Sequence, residues 1–154
     1  MILAAAAWGQ KAAKPNLSGT WELDVAKSDF GAMPPPKSVL NIITHKEPFV
    51  EMDQTMVLAK GKFNAKLKYR TTAAQDANDS YGTTQTSWSK WFDNVFHIEA
   101  EVVAGKQFVR FRERWSLADG GKRLLNDRTV HMASGEIQQK LVYVRAAKAA
   151  KKGK

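Results

Sequence analysis

Alternation of apolar and polar residues with a period of two dominates the middle of the chain. It is clearest from Lys62 to Arg70, where Phe, Ala, Leu and Tyr oppose basic and amide side chains. Val95 to Val103 alternates in the same way, with acidic and histidine side chains at the polar positions. Such alternation is typical of strands that bury one face of a sheet and leave the other in water.

Similar runs predict roughly nine strands, separated by short segments rich in glycine, asparagine and aspartate. The strands are expected near residues 18–25, 38–45, 49–59, 62–71, 84–92, 95–103, 107–117, 122–132 and 136–145. Most connections have the residues that tight hairpins require. Asp76–Gly82 is expected to be a longer polar loop, and Gly31–Pro36, with three consecutive prolines, a rigid extended crossover.

This pattern predicts an all-β fold, since no amphipathic helix of three turns follows Pro15. Many short antiparallel strands indicate a sandwich or a barrel. A meander of hairpins favours an antiparallel up-and-down β-barrel of about 8–10 strands, because closure removes exposed strand edges. The interior of such a barrel is either filled by side chains or holds one small ligand.

The chain has 154 residues and a formal charge of +9, a size that fits one domain. We assign the barrel domain to residues 15–147. Six of the lysines lie outside or at the edge of it, so the body is much closer to neutral than the whole chain. The Ala/Lys/Gly tail, residues 148–154, is expected to be disordered because it has too little apolar surface to order itself.

Residues 1–14 are expected to be a truncated secretory signal peptide or a disordered arm. Met1–Trp8 is apolar but too short to span a bilayer, and Ala7-Trp8-Gly9 places small residues two apart, as signal peptidases prefer. The signal interpretation puts cleavage after Gly9 or near Ala13 and predicts a periplasmic or secreted protein. No transmembrane segment is predicted. Cysteine is absent, which is compatible with export without requiring it.

The run Leu17–Asp24, with Gly19-Thr20-Trp21 at its centre, resembles the first strand of the lipocalin and fatty-acid-binding-protein superfamily. The wider chain resembles uncharacterised secreted lipocalin-like proteins of bacteria. The pieces that carry this second resemblance are Ala26–Gly31, His45–Pro48, Arg114–Leu117 and Lys140–Tyr143. The resemblance implies a barrel whose closed end is plugged by Trp21, with Arg128 or Arg145 stacked over that ring as a structural partner.

Several features depart from the superfamily's pattern. The Thr-Asp-Tyr turn, the C-terminal helix of lipocalins and the two-helix lid of fatty-acid-binding proteins have no counterpart in the sequence. The late Arg-x-Tyr clamp that fatty-acid-binding proteins close on a carboxylate would fall on Leu141–Tyr143, where leucine replaces the arginine. Arg145 follows two residues later, so a shifted clamp is one alternative.

Candidate ligand-binding residues are the polar and aromatic ones on apolar strand faces. In the strand Phe108–Leu117, Glu113 shares a face with Phe111 and other apolar residues, which places its carboxylate inside the barrel. A buried carboxylate needs a partner, and Arg128 is the candidate. A purely structural Glu–Arg pair is the alternative. The proposed set of ligand-binding residues is Gln54, Trp88, Phe111, Glu113, Arg128 and Tyr143.

Other features carry weaker or negative signals. On the outer face, Arg110, Arg112 and Arg114 are expected to meet acidic residues of an adjacent strand, with Glu99 and Glu101 as the candidates. The three histidines are scattered without metal-site spacing, so no metal and no cofactor is predicted, although an inward His45 would suit a haem. Catalytic-triad, nucleotide-loop and dinucleotide motifs are absent.

The leading hypothesis is a barrel that binds a small hydrophobic or amphipathic ligand. The alternative is a small barrel enzyme in which Glu113, His45 or Tyr143 performs acid–base chemistry, because a fold does not decide between the two. Phe108–Phe111 matches part of an RNA-binding strand, but that fold needs two helices behind its sheet, so no specific nucleic-acid partner is expected.

Overall fold

Residues 14–146 are described by the structure, a computed structural model, and they form one antiparallel sheet of ten strands. The strands are β1 (Gly19–Leu23), β2 (Ser38–Lys46), β3 (Phe49–Leu58), β4 (Gly61–Arg70), β5 (Thr72–Ser80), β6 (Thr83–Phe92), β7 (Val95–Ala104), β8 (Gln107–Ala118), β9 (Arg123–Met132) and β10 (Gly135–Arg145). The predicted up-and-down barrel is confirmed. The predictions for the N-terminal arm and for the basic tail fall almost wholly outside the described residues.

The sheet closes on itself because β1 pairs with both β2 and β10. The two edge strands of the sheet, β4 and β5, are consecutive in the chain and lie side by side. Among the described residues they are not joined by a ladder of backbone hydrogen bonds. Side chains of β5 join them instead. Asn78 accepts from the Lys68 N–H at 2.8 Å and donates to the Lys68 carbonyl at 3.0 Å. The Asp76 carboxylate accepts from the Arg70 backbone N–H at 2.8 Å and from its Nε at 2.9 Å.

The predicted loop at Asp76–Gly82 is wrong, because most of this segment belongs to β5. The segment lacks apolar alternation since its Asp76 and Asn78 side chains pair with the backbone of β4 rather than with the core. We call this side-chain junction of β4 and β5 the seam.

The closed end of the barrel is built around Trp21, which is fully buried. Its indole Nε1 donates to the Leu17 carbonyl at 2.9 Å. The Leu17 N–H in turn donates to His45 Nδ1 at 3.1 Å, so the residues before β1 pass beneath the barrel and seal it. Glu47, in the β2–β3 turn, accepts hydrogen bonds from Thr71 and from Trp91 Nε1, the latter at 2.7 Å, and ties three hairpins together at this end.

At the other end, residues 24–37 connect β1 to β2 without forming a helix. Asp29 pairs with Lys140 of β10 through two backbone hydrogen bonds of 2.8 Å, so the segment continues alongside β10 where β1 stops. Gly31 then turns the chain at a φ of 62°, where a Cβ would approach the Gln138 carbonyl to 2.6 Å. The prolines carry the chain on to β2, as the predicted extended crossover requires.

Candidate functional site

The barrel interior has two halves of different character. Near the closed end, large apolar side chains fill it, and Phe96 and Ile98 have exposed fractions of 1% and 2%. Towards the open end burial is mixed, since Ala100 and Val130 are at most 2% exposed. The side chains of Glu113 and Arg128 are 16% and 28% exposed. These two charged groups are therefore partly accessible to solvent.

Glu113 and Arg128 form an ion pair on the interior face. Their strands, β8 and β9, place them directly opposite each other, and Arg128 Nε lies 3.2 Å from Glu113 Oε1. The second carboxylate oxygen accepts a hydrogen bond from Trp115 Nε1 at 2.9 Å. The Arg128 guanidinium also lies 4.4 Å from the centre of the Phe111 ring. This cation–π contact helps to hold the guanidinium in place. The pair that the alternation of β8 predicts is therefore present.

Three tyrosines surround this ion pair. Burial raises the pKa of the Tyr69 and Tyr143 hydroxyls well above the usual value, and the Glu113 carboxylate raises both further. Burial also raises the pKa of Tyr81 to about 12, although the Arg128 charge opposes the shift. All three hydroxyls stay protonated at neutral pH. Because the single Tyr81 proton is donated to Gln54, the hydroxyls of Tyr69 and Tyr143 are the candidate donors to an acceptor near the pair.

Gln54 lies on the interior face of β3, and its side chain links β2 to the turn that follows β5. Its amide Nε2 donates to Asn41 Oδ1 at 2.9 Å, and its carbonyl Oε1 accepts from the Tyr81 hydroxyl. Tyr81 follows β5 at a positive φ of 54°, and its ring meets Phe63 edge-on at 6.3 Å. Tyr81 was not among the predicted site residues, because the segment containing it was assigned to a loop.

Buried polar groups in the middle of the barrel were also missed by sequence reasoning. Ser87 and Ser89 of β6 and Asn126 of β9 are at most 2% exposed. Among the described residues, neither serine Oγ nor Asn126 Oδ1 has a hydrogen-bond partner. An unpaired buried polar atom costs about 1–3 kcal/mol of stability. These three atoms therefore favour a bound molecule that can form hydrogen bonds with them. A single serine in a strand gives no signal of its orientation, which explains the omission.

The placement of Trp88 in the interior is wrong. It lies on the outer face of β6, between the inward-facing Ser87 and Ser89, and it is in register with the exposed Glu99 of β7. The apolar size of tryptophan suggested burial, but small polar residues occupy the inner face of this strand. Phe111 and Tyr143, by contrast, lie on the interior face with Glu113, and the Tyr143 ring lies 5.5 Å from that of Trp115.

Arg145 belongs to the closed end and not to a carboxylate clamp. Its guanidinium lies 4.2 Å from the centre of the Trp21 ring, and its nitrogens donate to the carbonyls of Gly121 and Ser18 at 3.0 and 3.2 Å. The shifted clamp raised as an alternative is therefore not formed. Arg128 is the cation that faces the interior instead.

The histidines serve structural or surface positions. His45 accepts from the backbone at Nδ1 and lies 2.9 Å from Glu47 at Nε2, so both of its ring nitrogens are engaged at the closed end. This arrangement argues against the haem alternative. Within residues 14–146, no group of three or more His, Asp or Glu side chains is placed to hold a metal ion. In the same residues, no helix has the length and apolar character needed to cross a bilayer.

Comparison by sequence and by structure gives different results. The sequence matches no protein-family model and no curated protein. The fold, however, is similar to that of a secretory abundant heat soluble protein from Ramazzottius varieornatus, with a TM-score of 0.63 and 11% identity over 90% of this chain and all of that one.

Two further solved structures have the same architecture. A variant of the fluorescent protein UnaG aligns with a TM-score of 0.59 and 15% identity over 85% of this chain and 96% of its own. The zebrafish ileal bile acid-binding protein, solved with cholic acid, aligns with a TM-score of 0.56 and 10% identity over 84% of this chain and 98% of its own. At such identities the similarity establishes the fold alone: the chain is a β-barrel of the lipocalin-like and fatty-acid-binding-protein-like kind.

Proposed function

We propose that this protein binds one small amphipathic molecule in the open half of its barrel. The observation that carries the proposal is the Glu113–Arg128 pair, which is inside the barrel, reachable by solvent and surrounded by protonated tyrosines. A charged pair of this kind in a purely structural core would cost desolvation energy without a compensating role. A polar ligand group can exchange hydrogen bonds with both partners.

The surroundings of the pair suit the apolar part of such a ligand. Met56 and Phe111 are partly buried and pack against the core. Phe63, on the interior face of β4, is also partly buried. Methionine and aromatic side chains adapt to irregular apolar shapes, and a few convergent polar groups then fix the orientation. We infer that the apolar body contacts these side chains while the polar group lies near Arg128.

The polar group is expected to be an acceptor, and a carboxylate satisfies the site well. Arg128 supplies a cation, and the hydroxyls of Tyr69 and Tyr143 supply donors, while that of Tyr81 is engaged with Gln54. The similar zebrafish protein was solved with cholic acid, a hydroxylated steroid carboxylate, which has the required combination of groups. The enzyme alternative is less well supported, because the Glu113 carboxylate is already held by Arg128 and Trp115.

Direct binding tests this function. Native mass spectrometry of the purified protein is expected to show a co-purified small molecule, and isothermal titration is expected to show one site for oleate or cholate. The double variant Glu113→Gln/Arg128→Gln removes both interior charges together and should weaken binding at least tenfold. The matched control Glu101→Gln/Arg110→Gln removes an outer pair with a separation of 2.8 Å and should bind normally.

We also propose that the protein is exported. The apolar run at Met1–Trp8, followed by small residues, supports this, and a protein of similar fold is named as secretory. Expression from the native gene with its upstream region, followed by N-terminal sequencing of the extracytoplasmic fraction, is expected to find a mature chain that begins after Gly9 or near Ala13. A chain that stays in the cytoplasm with its N-terminus intact would contradict export.

A further inference from the structure

A groove of about 460 Å³ lies on the outer surface of the barrel, over strands β6, β7 and β8. Backbone pairing places Lys90, His97 and Arg114 in one row across these strands, and Trp88, Glu99 and Arg112 in the next row. All six side chains line the groove, and Phe92 closes its end near the β6–β7 turn. Ser89, Ile98 and Glu113, at the inward-facing positions of the same strands, also line the groove.

The walls of the groove are aromatic. The Phe92 ring is 48% exposed, and it meets the His97 ring at 4.5 Å. Trp88 is partly exposed on the other row. Exposed aromatic rings on a strand surface offer flat apolar contact area, which in water favours a planar guest.

The charge of the groove is positive. Arg112 is paired with Glu99 at 3.3 Å, which cancels one charge of each sign. Lys90 and Arg114 remain. Among the described residues neither forms an ion pair, although Asp127 of β9 is in register with Arg114. Lys90 Nζ lies 4.3 Å from the centre of the Phe92 ring, so a cation and an aromatic face are presented together.

The positive charges of the groove affect the pKa of His97. Partial burial lowers its pKa, and the positive charges of Arg114 and Lys90 lower it further, against the opposing effect of Glu99. The local field at the centre of the groove therefore disfavours an added positive charge and favours a negative one.

We propose that this outer groove binds a small aromatic anion, with the ring against Trp88 and Phe92 and the anionic group between Lys90 and Arg114. The volume accommodates one or two fused rings. A nucleic-acid strand fits less well, because Glu99 and Glu101 lie on the same outer face and repel a continuous row of phosphates. This site does not depend on the function proposed for the barrel interior.

Naphthalene-1-sulfonate is a suitable probe, with neutral 1-naphthalenemethanol as the matched uncharged compound. Two-dimensional amide NMR titration should show sulfonate-induced shifts at residues 88–92, at His97 and at Arg114, with the neutral compound at least tenfold weaker. The variant Lys90→Glu/Arg114→Glu should remove these shifts. Lys62→Glu/Lys66→Glu, which makes the same charge change on the outer face of β4, should leave them in place.

Three results would overturn the proposal: shifts confined to interior residues such as Tyr69 and Tyr143, equal affinity for the neutral compound, or unchanged binding by the groove variant. A short oligothymidine that binds the same residues more tightly than the sulfonate would also overturn it in favour of nucleic acid. Circular dichroism of each variant checks that the barrel is intact. The interior variant Arg128→Gln, at a residue that does not line the groove, should keep sulfonate binding, which separates this site from the proposed function.

Discussion

The guanidinium of Arg145 lies flat against the buried ring of Trp21, 4.2 Å from its centre, at the closed end of the barrel. Gly19, two residues before Trp21, makes this approach feasible. It adopts a φ of 149°, and a Cβ at that position would collide with the Arg145 guanidinium. The Gly-x-Trp pattern therefore has a steric reason: the glycine clears the space that the arginine occupies.

This relationship predicts two different losses of stability. Replacing Trp21 by Ala leaves a large cavity at the closed end and should lower the free energy of unfolding by about 3–5 kcal/mol. Replacing Arg145 by Gln removes the cation–π contact and two hydrogen bonds to carbonyls, for a loss of about 1–2 kcal/mol. Urea denaturation measures both. Arg123→Gln, which removes an exposed pair with Asp119, is the control and should change stability by less than about 0.5 kcal/mol.

The seam between β4 and β5 predicts a local effect on backbone protection. The Asn78→Ala variant removes both side-chain bonds to the Lys68 backbone, so the Lys68 amide should exchange hydrogen faster while amides of β8 and β9 stay protected. The overall loss of stability should be about 1 kcal/mol. Gln75→Ala is the control, because only the backbone carbonyl of Gln75 takes part in the seam. Equal exchange at Lys68 in both variants would contradict this role of Asn78.

Glu47 predicts a dependence of stability on acid pH. Partial burial raises the pKa of its carboxyl, but hydrogen bonds from Thr71, His45 and Trp91 outweigh that effect and hold the pKa below the usual 4.5. A group with a lowered pKa in the folded state stabilises the protein above the unfolded value and loses that contribution as the pH falls through the folded value. The Glu47→Gln variant should therefore lose less stability than the wild type as the pH falls from neutral through the lowered folded pKa, which urea denaturation at a series of acid pH values measures.

The tyrosines predict a delayed alkaline titration. The chain has three tyrosines, and the pKa of each is raised, with Tyr81 at about 12. Folding then favours the protonated form, so its contribution to stability is present below the unfolded pKa of 10 and falls as the pH rises towards 12. Ultraviolet absorbance should show little tyrosinate in the folded protein at pH 10.5. Half-ionisation near pH 10 without unfolding would contradict the packing of Tyr69 and Tyr143.

Sequence reasoning succeeded where burial enforces alternation. The face shared by Phe111 and Glu113 fixed the inward direction of the carboxylate. The opposite face predicted that Arg110, Arg112 and Arg114 meet acidic residues such as Glu99 and Glu101. Arg110–Glu101 and Arg112–Glu99 are present at 2.8 and 3.3 Å, whereas Arg114 forms no ion pair among the described residues. A strand with one wet and one dry face constrains every side chain, because a shift by one residue would exchange the two faces.

Sequence reasoning failed where polar residues face the barrel interior or bond to the backbone of a neighbouring strand. The buried inner-face residues of β6 are Gln85, Ser87 and Ser89, and only Trp91 near the end of the strand adds an apolar side chain to that face, so Trp88 was misplaced. In β5, Asp76 and Asn78 bond to the backbone of β4, and a strand that pairs through polar side chains has the composition of a loop. Both errors concern tertiary partners that a local pattern does not contain.

The most direct test of the central claim is isothermal titration of oleate and of cholate into three proteins: the wild type, the interior variant Glu113→Gln/Arg128→Gln and the outer variant Glu101→Gln/Arg110→Gln. The account predicts that at least one of the two acids binds the wild type and the outer variant with one site and similar affinity, and binds the interior variant at least tenfold more weakly. Equal affinity for all three proteins, or no binding of either acid to the wild type, would contradict it.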